Sequence, residues 1–345
     1  MDKKLYPFKF ISTREDRPWG TEAWAVADLG FVDNMVDEGW LAGNTLSELV
    51  ETYLERVVGE TSFEFYGTQF PVMVKFLDVR GRTSLHVNTD DTIAKQRYDT
   101  FGKTALWYVV SASDDARIYL GWNRDLTGEE LFAVCSGESV DSVLNEIKPK
   151  AGDSFLITPG TVHAARGRLV IAEISECSNL WFRLHSPNPE DTELHLEEAF
   201  DLVDLKKYEA PEEHHHHDGE HITRHLAETP QFSVTEIRLT DPLHIYAEKF
   251  DSFLLYTCLR GGAVIEIKDG DAKGNYRLKE GEVIMVPAEV KDFFLIPAER
   301  DTLLLEAVMD HREETDPYLE EEEHHHHDGC DCEEHNHHHH DHCDN

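Results

Sequence analysis

The segment Gly152-Asp-Ser-Phe-Leu-Ile-Thr-Pro-Gly-Thr-Val-His163 decides the fold, because the chain carries a second version of it. The second version reads Gly281-Glu-Val-Ile-Met-Val-Pro-Ala-Glu-Val-Lys291 and has a lysine where the first has histidine, four residues after the proline. In each version a glycine and an acidic residue open a tight turn into a short apolar strand, which the proline ends. The repeat predicts two related β-barrels, and only the first places a histidine, His163, at its mouth.

Short apolar runs separated by turn residues dominate the rest of the chain, as expected for barrels or sandwiches. The predicted strands are Phe70–Leu77, Leu106–Ser111, Ala116–Trp122, Phe155–Thr158, Leu169–Ile174, Phe232–Leu239, Phe253–Leu259, Ala263–Ile267, Val283–Val286, Phe293–Ile296 and Thr302–Val308. Helical periodicity is limited to Thr45–Val58, Thr92–Arg97, Gly128–Cys135, Val140–Ile147 and Asp191–Leu205. A mainly β fold with a small helical insertion follows.

Four parts are expected along the chain. Residues 1–190 form the first barrel, with the candidate active site and the helical insertion, and residues 191–225 form a helical, His-rich connection. Residues 226–310 form a second barrel with a structural role, and residues 311–345 form a disordered, acidic tail rich in His and Cys.

The charge balance excludes several classes of partner. The net charge of the 345-residue chain is −37, so phosphate backbones would be repelled and nucleic acid is excluded as a partner. No run approaches the ~20 apolar residues of a membrane span, and the first residues contain no apolar signal segment. Cys135, Cys177 and Cys258 are scattered singly, which does not suggest a disulfide framework. We therefore predict a cytoplasmic protein without a membrane partner.

The octapeptide Glu-Glu-His-His-His-His-Asp-Gly occurs at Glu212–Gly219 and again at Glu322–Gly329. Imidazole and thiolate are ligands that suit zinc and nickel, and nearby carboxylates attract the cation. Runs of histidine do not enforce one tetrahedral geometry, so several labile zinc or nickel ions are expected. The predicted ligands of these ions are His214, His215, His216, His217, His221, His324, His325, His326, His327, Cys330, Cys332, His335, His337, His338, His339, His340, His342 and Cys343.

A resemblance to a known family covers residues from about 5 to 309. The matching residues are Trp19-Gly20, Glu22–Val26, Thr45–Leu49, Pro71–Asp78, Thr83–Asp91, Phe101–Thr104, Trp107-Tyr108, Gly152-Asp153, Pro159-Gly160, His163-Ala164, Glu173, Arg183, Leu278–Gly281 and Val286–Ala288. In order and spacing they resemble the class I mannose-6-phosphate isomerase family of the short bacterial kind. The resemblance implies two cupin (jelly-roll) domains and a zinc ion in the first.

The resemblance also places the zinc ligands of the family on this sequence. They fall on His86 and Asn88 (a glutamine- or lysine-x-histidine pair in the family), on Ala105 (a glutamate) and on His163. Alanine cannot bind metal, and asparagine offers only a neutral carbonyl oxygen. One core ion held by His86, Asn88 and His163, completed by a carboxylate such as Glu173 or Asp90, is the expected departure from the family site. Ordinary polar lining is the alternative for His86 and Asn88.

The family chemistry is proton transfer between C1 and C2 of an open-chain sugar phosphate through an enediol. The resemblance gives Arg183 and Glu173 active-site roles and makes Lys103 a candidate phosphate contact, with a solvated turn lysine as the alternative for Lys103. Two function classes stay open. One is a divergent isomerase, favoured by His163, Glu173 and Arg183. The other is a non-catalytic cupin relative, favoured by Ala105, which acts as a zinc or nickel buffer or chaperone or as a sugar-phosphate-binding module.

Overall fold

The computed structural model describes residues 3–137, 140–188, 193–210, 222–268 and 270–309. The strands are β1 Phe8–Lys9, β2 Thr13–Arg17, β3 Gly20–Val26, β4 Val72–Val79, β5 Leu85–Asn88, β6 Ala105–Ala112, β7 Arg117–Trp122, β8 Leu144–Ile147, β9 Ser154–Ile157, β10 His163–Arg166, β11 Leu169–Glu176, β12 Trp181–His185, β13 Ile222–Glu228, β14 Ser233–Leu239, β15 Leu243–Tyr246, β16 Leu254–Arg260, β17 Gly262–Ile267, β18 Gly274–Lys279, β19 Val283–Val286, β20 Asp292–Pro297 and β21 Thr302–Val308. The helices are α1 Leu46–Tyr53, α2 Glu55–Val58, α3 Glu60–Tyr66, α4 Asp91–Tyr98, α5 Gly128–Cys135 and α6 Leu196–Leu202, with 3₁₀ turns at Val140–Ser142 and Ala247–Phe250.

The first barrel consists of two antiparallel sheets that face each other. One has six strands in the order β2-β3-β4-β11-β6-β9, and the other has five in the order β12-β5-β10-β7-β8. Alternate residues of these strands point inward and form an aliphatic cluster that includes Val109, Ile118 and Ile171. This cluster fills part of the barrel interior, and its members Leu77 and Trp107 also line a cavity that is otherwise rich in polar side chains.

The second barrel repeats this plan with a six-stranded sheet, β1-β19-β16-β21-β14-β13, and a four-stranded sheet, β15-β20-β17-β18. Its interior is filled by apolar side chains such as Ile265, Phe293 and Leu295. Strand β1 comes from the N-terminal end of the chain, yet Phe8 pairs with Met285 in the second barrel. The four-part division at residues 190, 225 and 310 stays a proposal.

The internal repeat is confirmed as a structural repeat. Gly152 and Gly281 both have positive φ angles, +92° and +80°, which open the turns into β9 and β19. In the first barrel the chain then reaches His163 at the start of β10, and in the second it reaches Lys291 just before β20. The prediction of a mainly β chain with two cupin-like barrels is therefore confirmed.

The two six-stranded sheets pack against each other through a large apolar cluster. It contains Val74 and Ile174 from the first barrel and Leu255 and Leu305 from the second. A buried polar contact crosses the same interface, because the Tyr108 hydroxyl donates to a carboxylate oxygen of Glu236 at 2.6 Å.

The helix predicted over Thr45–Val58 is in fact two helices, α1 and α2, separated by Leu54 at φ +52°. A second break, at Gly59 with φ +97°, separates α2 from α3, and its cause lies in the second barrel. The Val57 carbonyl accepts a hydrogen bond from the Ala288 backbone N–H, and the Asp251 carboxylate accepts two N–H groups from the first turn of α3. These long-range bonds replace those that a continuous helix would make.

Two other helix predictions need correction. Val140–Ile147 forms a 3₁₀ turn followed by β8, because Ile147 and Glu146 pair with β7 and tertiary pairing outweighs the helical pattern. The helix predicted over Asp191–Leu205 is limited, within the described residues 193–205, to α6, Leu196–Leu202. Helices α4 and α5 confirm the predictions at Thr92–Arg97 and Gly128–Cys135.

Within the described ranges no helix is long and apolar enough to cross a membrane. All the predicted metal-binding residues of the octapeptides and the tail, together with His221, lie outside the described residues. Their roles, and the disorder predicted for the tail, stay predictions.

Candidate active site

A cavity of about 450 Å³ lies between the two sheets of the first barrel. Both sheets of the barrel contribute to its lining. Its charged and imidazole-bearing residues are Glu15, Arg17, Glu22, Lys75, Lys103, Glu173, Arg183, His86 and His163. The volume falls in the range of small-molecule pockets.

Glu173 lies at the centre of this lining. It pairs across the sheet with Lys75 on one side and with Trp107 on the other, so the three side chains share one face. One carboxylate oxygen, Oε1, lies 3.1 Å from Lys103 Nζ and 3.4 Å from Lys75 Nζ. The other, Oε2, accepts a hydrogen bond from the Trp107 indole N–H at 2.8 Å. Both oxygens are therefore occupied by donors.

A series of ion pairs extends from Glu173 through Lys75 to Glu22 and Arg17. Lys75 Nζ donates to Glu22 Oε1 at 2.7 Å, and Arg17 binds the other oxygen of Glu22. Burial would raise the pKa of Glu173, but the Lys103 and Lys75 ammonium groups outweigh burial and hold that pKa far below its usual range. Burial lowers the pKa of Lys103. Burial also acts to lower the pKa of Lys75, but the carboxylates of Glu173 and Glu22 together outweigh it and raise that pKa.

A short loop positions Lys103. Its backbone N–H donates to the Thr89 carbonyl at 2.9 Å, and the next N–H, that of Thr104, donates to Glu176 Oε2 at 2.6 Å. Gly102 N–H donates to Asp91 Oδ1 at 2.9 Å. The lysine is thus fixed at the pocket wall and is not the solvated turn lysine considered as the alternative. Its side chain is only 7% exposed.

The two imidazoles of the pocket face each other across neighbouring strands. His163 on β10 pairs with His86 on β5, and their ring centroids are 6.3 Å apart. His163 Nδ1 lies 3.0 Å from the Thr161 carbonyl, which can only accept, so Nδ1 carries the proton. Burial lowers the pKa of His163 to about 4 and that of His86 well below its usual value. Both rings are therefore neutral near pH 7, and His163 Nε2 has a free lone pair.

The residues at the other two expected metal positions are poor ligands. Asn88 is buried, and its amide nitrogen has no hydrogen-bond partner. Ala105 is buried in the same aliphatic cluster as Leu120 and Ile157. Asp90, considered with Glu173 as the fourth donor, instead caps α4 by accepting from the Ile93 backbone N–H.

This donor set does not fit the zinc ion that the resemblance implies. Catalytic zinc sites use three protein ligands, and this pocket offers two imidazoles, because both oxygens of Glu173 are already occupied. His86 Nε2 is buried without a partner, but a single orphaned nitrogen does not complete a site. In the part of the chain that the structure describes, no three His, Cys, Asp or Glu side chains converge to hold a metal ion.

Arg183 lies beside His86, with which it pairs across β12 and β5. Its guanidinium lies 5.3 Å from the Trp181 ring, and one terminal nitrogen donates to the Glu193 carbonyl at 3.1 Å. Its Nε is buried without a partner, and no carboxylate pairs with it among the residues described. The guanidinium is therefore available to an anion.

The structure brings all six residues predicted for the core site into one pocket: His86, Asn88, His163, Lys103, Glu173 and Arg183. Sequence reasoning missed Lys75, Glu22, Trp107 and Trp181. The available signal for Lys75 is a lysine in the middle of the apolar strand Phe70–Leu77, which has to find a buried anion.

Glu176, which holds the Lys103 loop, gives a prediction about pH. Burial and the neighbouring Asp91 carboxylate raise the pKa of Glu176 from 4.5 to about 8. The folded state therefore binds more protons than the unfolded state between these values, so this group makes stability fall as pH rises through that window. We expect Glu176→Gln, which is neutral and keeps an acceptor for Thr104, to stabilise the protein at pH 8 by on the order of 2 kcal/mol.

Urea unfolding at pH 5 and pH 8 measures this effect, and the gain is expected to shrink towards pH 5. The matched control is Glu146→Gln on edge strand β8, an exposed glutamate paired with Arg117. An equal gain at both pH values would contradict the assignment of a protonated Glu176.

No protein-family model matches the chain. Among curated proteins, mannose-6-phosphate isomerase ManA of Bacillus subtilis is 30% identical over 284 residues, which is 79% of this chain and 85% of the relative. Mannose-6-phosphate isomerase of Streptococcus mutans is 26% identical over 278 residues, 79% of this chain and 84% of the relative.

Solved structures agree in fold. The mannose 6-phosphate isomerase of Bacillus subtilis superposes with a TM-score of 0.78 at 22% identity and covers 88% of this chain and 99% of its own. The apo form of mannose 6-phosphate isomerase from Salmonella typhimurium superposes with a TM-score of 0.68 at 14% identity. The match covers 89% of this chain and 100% of the Salmonella chain. Sequence and fold together show that the chain belongs to the mannose-6-phosphate isomerase family.

Proposed function

We propose that this protein interconverts mannose 6-phosphate and fructose 6-phosphate through an enediol. The relatives that carry this activity in their names match more than three quarters of the chain. The pocket supports the proposal independently, since its charge and its bases suit a phosphorylated open-chain sugar.

One observation carries the proposal, namely the sign of the pocket charge. The chain as a whole has a net charge of −37, yet the cavity is lined by four cationic side chains against three carboxylates. Lys75 and Lys103 are buried, and the Nε–H of Arg183 has no hydrogen-bond partner. A pocket of this kind favours an anionic ligand such as a phosphate ester, and Arg183 is suited to bind the phosphate through two donors.

His163 is the group best prepared to move the proton. The Thr161 carbonyl fixes its tautomer, and its Nε2 lone pair is free. Glu173 is less suited, because both of its oxygens are held by donors that keep it ionised. The role of Glu173 is then to position the two lysines, and that of His163 is general base.

In the proposed reaction, protons and electron pairs move only within the substrate and between the substrate and His163. His163 takes the proton from C2, the C2–H pair forms the C1=C2 bond, and the C1=O1 π pair moves to O1. The O2 hydroxyl proton then passes to O1, the C2=O2 carbonyl forms, and His163 returns its proton to C1. No oxidant or reductant is needed, and no step is assigned to a metal ion.

The test is an assay of full-length protein with mannose 6-phosphate that carries deuterium at C2. We expect fructose 6-phosphate to form with loss of the C2–D bond, and unphosphorylated mannose to react far more slowly. His163→Gln is expected to lower kcat by about 10²–10⁴-fold. Arg183→Met is expected to raise KM by about tenfold or more, because it removes a charged phosphate contact.

Arg80→Met is the matched control, since Arg80 is exposed and pairs with Asp78 outside the pocket. The Arg80→Met variant should leave kcat and KM unchanged. Absence of fructose 6-phosphate under all metal conditions would overturn the proposed isomerase. Mannose 6-phosphate binding without turnover would point to a sugar-phosphate-binding module.

A further inference from the structure

The isomerisation needs positive charge next to O1 and O2, where the enediolate carries its negative charge. In the family this charge is expected from a zinc ion, but position 105 holds an alanine, and the pocket keeps only two imidazoles as metal donors. The charge therefore has to come from another group in the same pocket.

Two buried ammonium groups are in place. Lys103 Nζ and Lys75 Nζ converge on the same oxygen of Glu173, at 3.1 and 3.4 Å. Lys75 has a second carboxylate partner, Glu22, at 2.7 Å. Two lysines thus share two carboxylates, and Arg17 already neutralises part of the Glu22 charge.

The charge of Lys103 is less neutralised than that of Lys75, because Lys103 pairs with one carboxylate and Lys75 with two. An ammonium group has three N–H donors, and Glu173 is the one acceptor that Lys103 Nζ reaches in the part of the chain that the structure describes. The group is buried at the pocket wall, where charge is screened far less than in water. The free N–H groups of Lys103 are therefore available to attract an anion such as the enediolate.

We propose, building on the isomerase activity proposed above, that Lys103, assisted by Lys75, supplies the positive charge that stabilises the enediolate, so that turnover needs no metal ion. When C2 loses its proton, O1 becomes the anion and accepts hydrogen bonds from the free N–H groups of Lys103. The ammonium keeps its own protons throughout. Glu173 holds Lys103 in place and stays ionised.

The first test is chelation of the full-length protein. The protein is dialysed exhaustively against EDTA and assayed with mannose 6-phosphate in the presence of EDTA, and metal content is measured in parallel. We expect kcat to stay within about twofold of the untreated protein, and added zinc to give no increase.

The second test is replacement of the ammonium group. Lys103→Met is expected to lower kcat by about 10²–10³-fold with little change in KM, the effect of removing one oxyanion donor. Lys103→Arg keeps the charge and should recover part of the loss. Lys148→Met is the matched control, because Lys148 is an exposed lysine paired with Asp114 outside the pocket.

The outcomes separate the two proposals. Activity that disappears on chelation and returns with zinc would overturn metal independence and leave the isomerase standing. Full activity of Lys103→Met in EDTA would overturn the role of Lys103. No turnover by the untreated protein, with or without added metal, would overturn the isomerase itself.

Discussion

Replacement of Glu173 by leucine is expected to lower the free energy of unfolding by about 3–5 kcal/mol. Glu173 is 4% exposed and is the carboxylate shared by Lys103 and Lys75. Removing it leaves buried ammonium charge without a partner and takes the acceptor from the Trp107 indole N–H. Urea unfolding measures the loss.

A second substitution, Lys103→Met, tests whether the unpaired ammonium charge causes the loss of stability in Glu173→Leu. In Lys103→Met with Glu173→Leu, the Lys75–Glu22–Arg17 chain stays paired, so a large part of the stability should return. Glu146→Leu, which removes an exposed pair with Arg117, should cost about 1 kcal/mol or less. A loss below about 1 kcal/mol for Glu173→Leu would contradict the central role of this carboxylate.

Ala105→Glu is expected to destabilise the metal-free protein by about 3–5 kcal/mol, because it puts a carboxyl group into an aliphatic cluster. With Asn88→His added, the pocket would hold three imidazoles and a carboxylate, enough donors for a divalent ion. Zinc at a hundred times its Kd should then restore about 2.7 kcal/mol. Thermal unfolding with and without zinc measures both effects.

Ala105→Gln is the matched control, because glutamine has the size of glutamate without its charge. The Ala105→Gln variant should be less stable than the unaltered protein, and zinc should not raise its stability. If the unaltered protein gained as much stability from zinc as the double variant, the present donor set would already be a complete metal site.

The sequence repeat around Gly152 and Gly281 was sufficient to predict two barrels, since turn chemistry and strand length act locally. Leucine rarely adopts a positive φ angle, so the residue type at position 54 did not predict the break in the helix at Leu54. Leu144–Ile147 forms a strand against its helical pattern, because it pairs with β7.

For the site, the resemblance located the histidines, Glu173, Lys103 and Arg183, but it did not show their partners. Lys75 and Glu173 are almost a hundred residues apart in sequence, and only the pairing of β4 with β11 places them side by side. Whether Glu173 is free to bind metal depends on Lys103 and Trp107, which the linear sequence does not reveal.

Strand β1 has a consequence for how the protein is made. Phe8 leaves the ribosome long before its partner Met285, which lies in the second barrel. At ~5–20 residues per second, the partner appears on the order of tens of seconds later. During that interval the apolar face of the first barrel that packs on the second is uncovered, so we expect its native packing to be completed only after the second barrel has been synthesised.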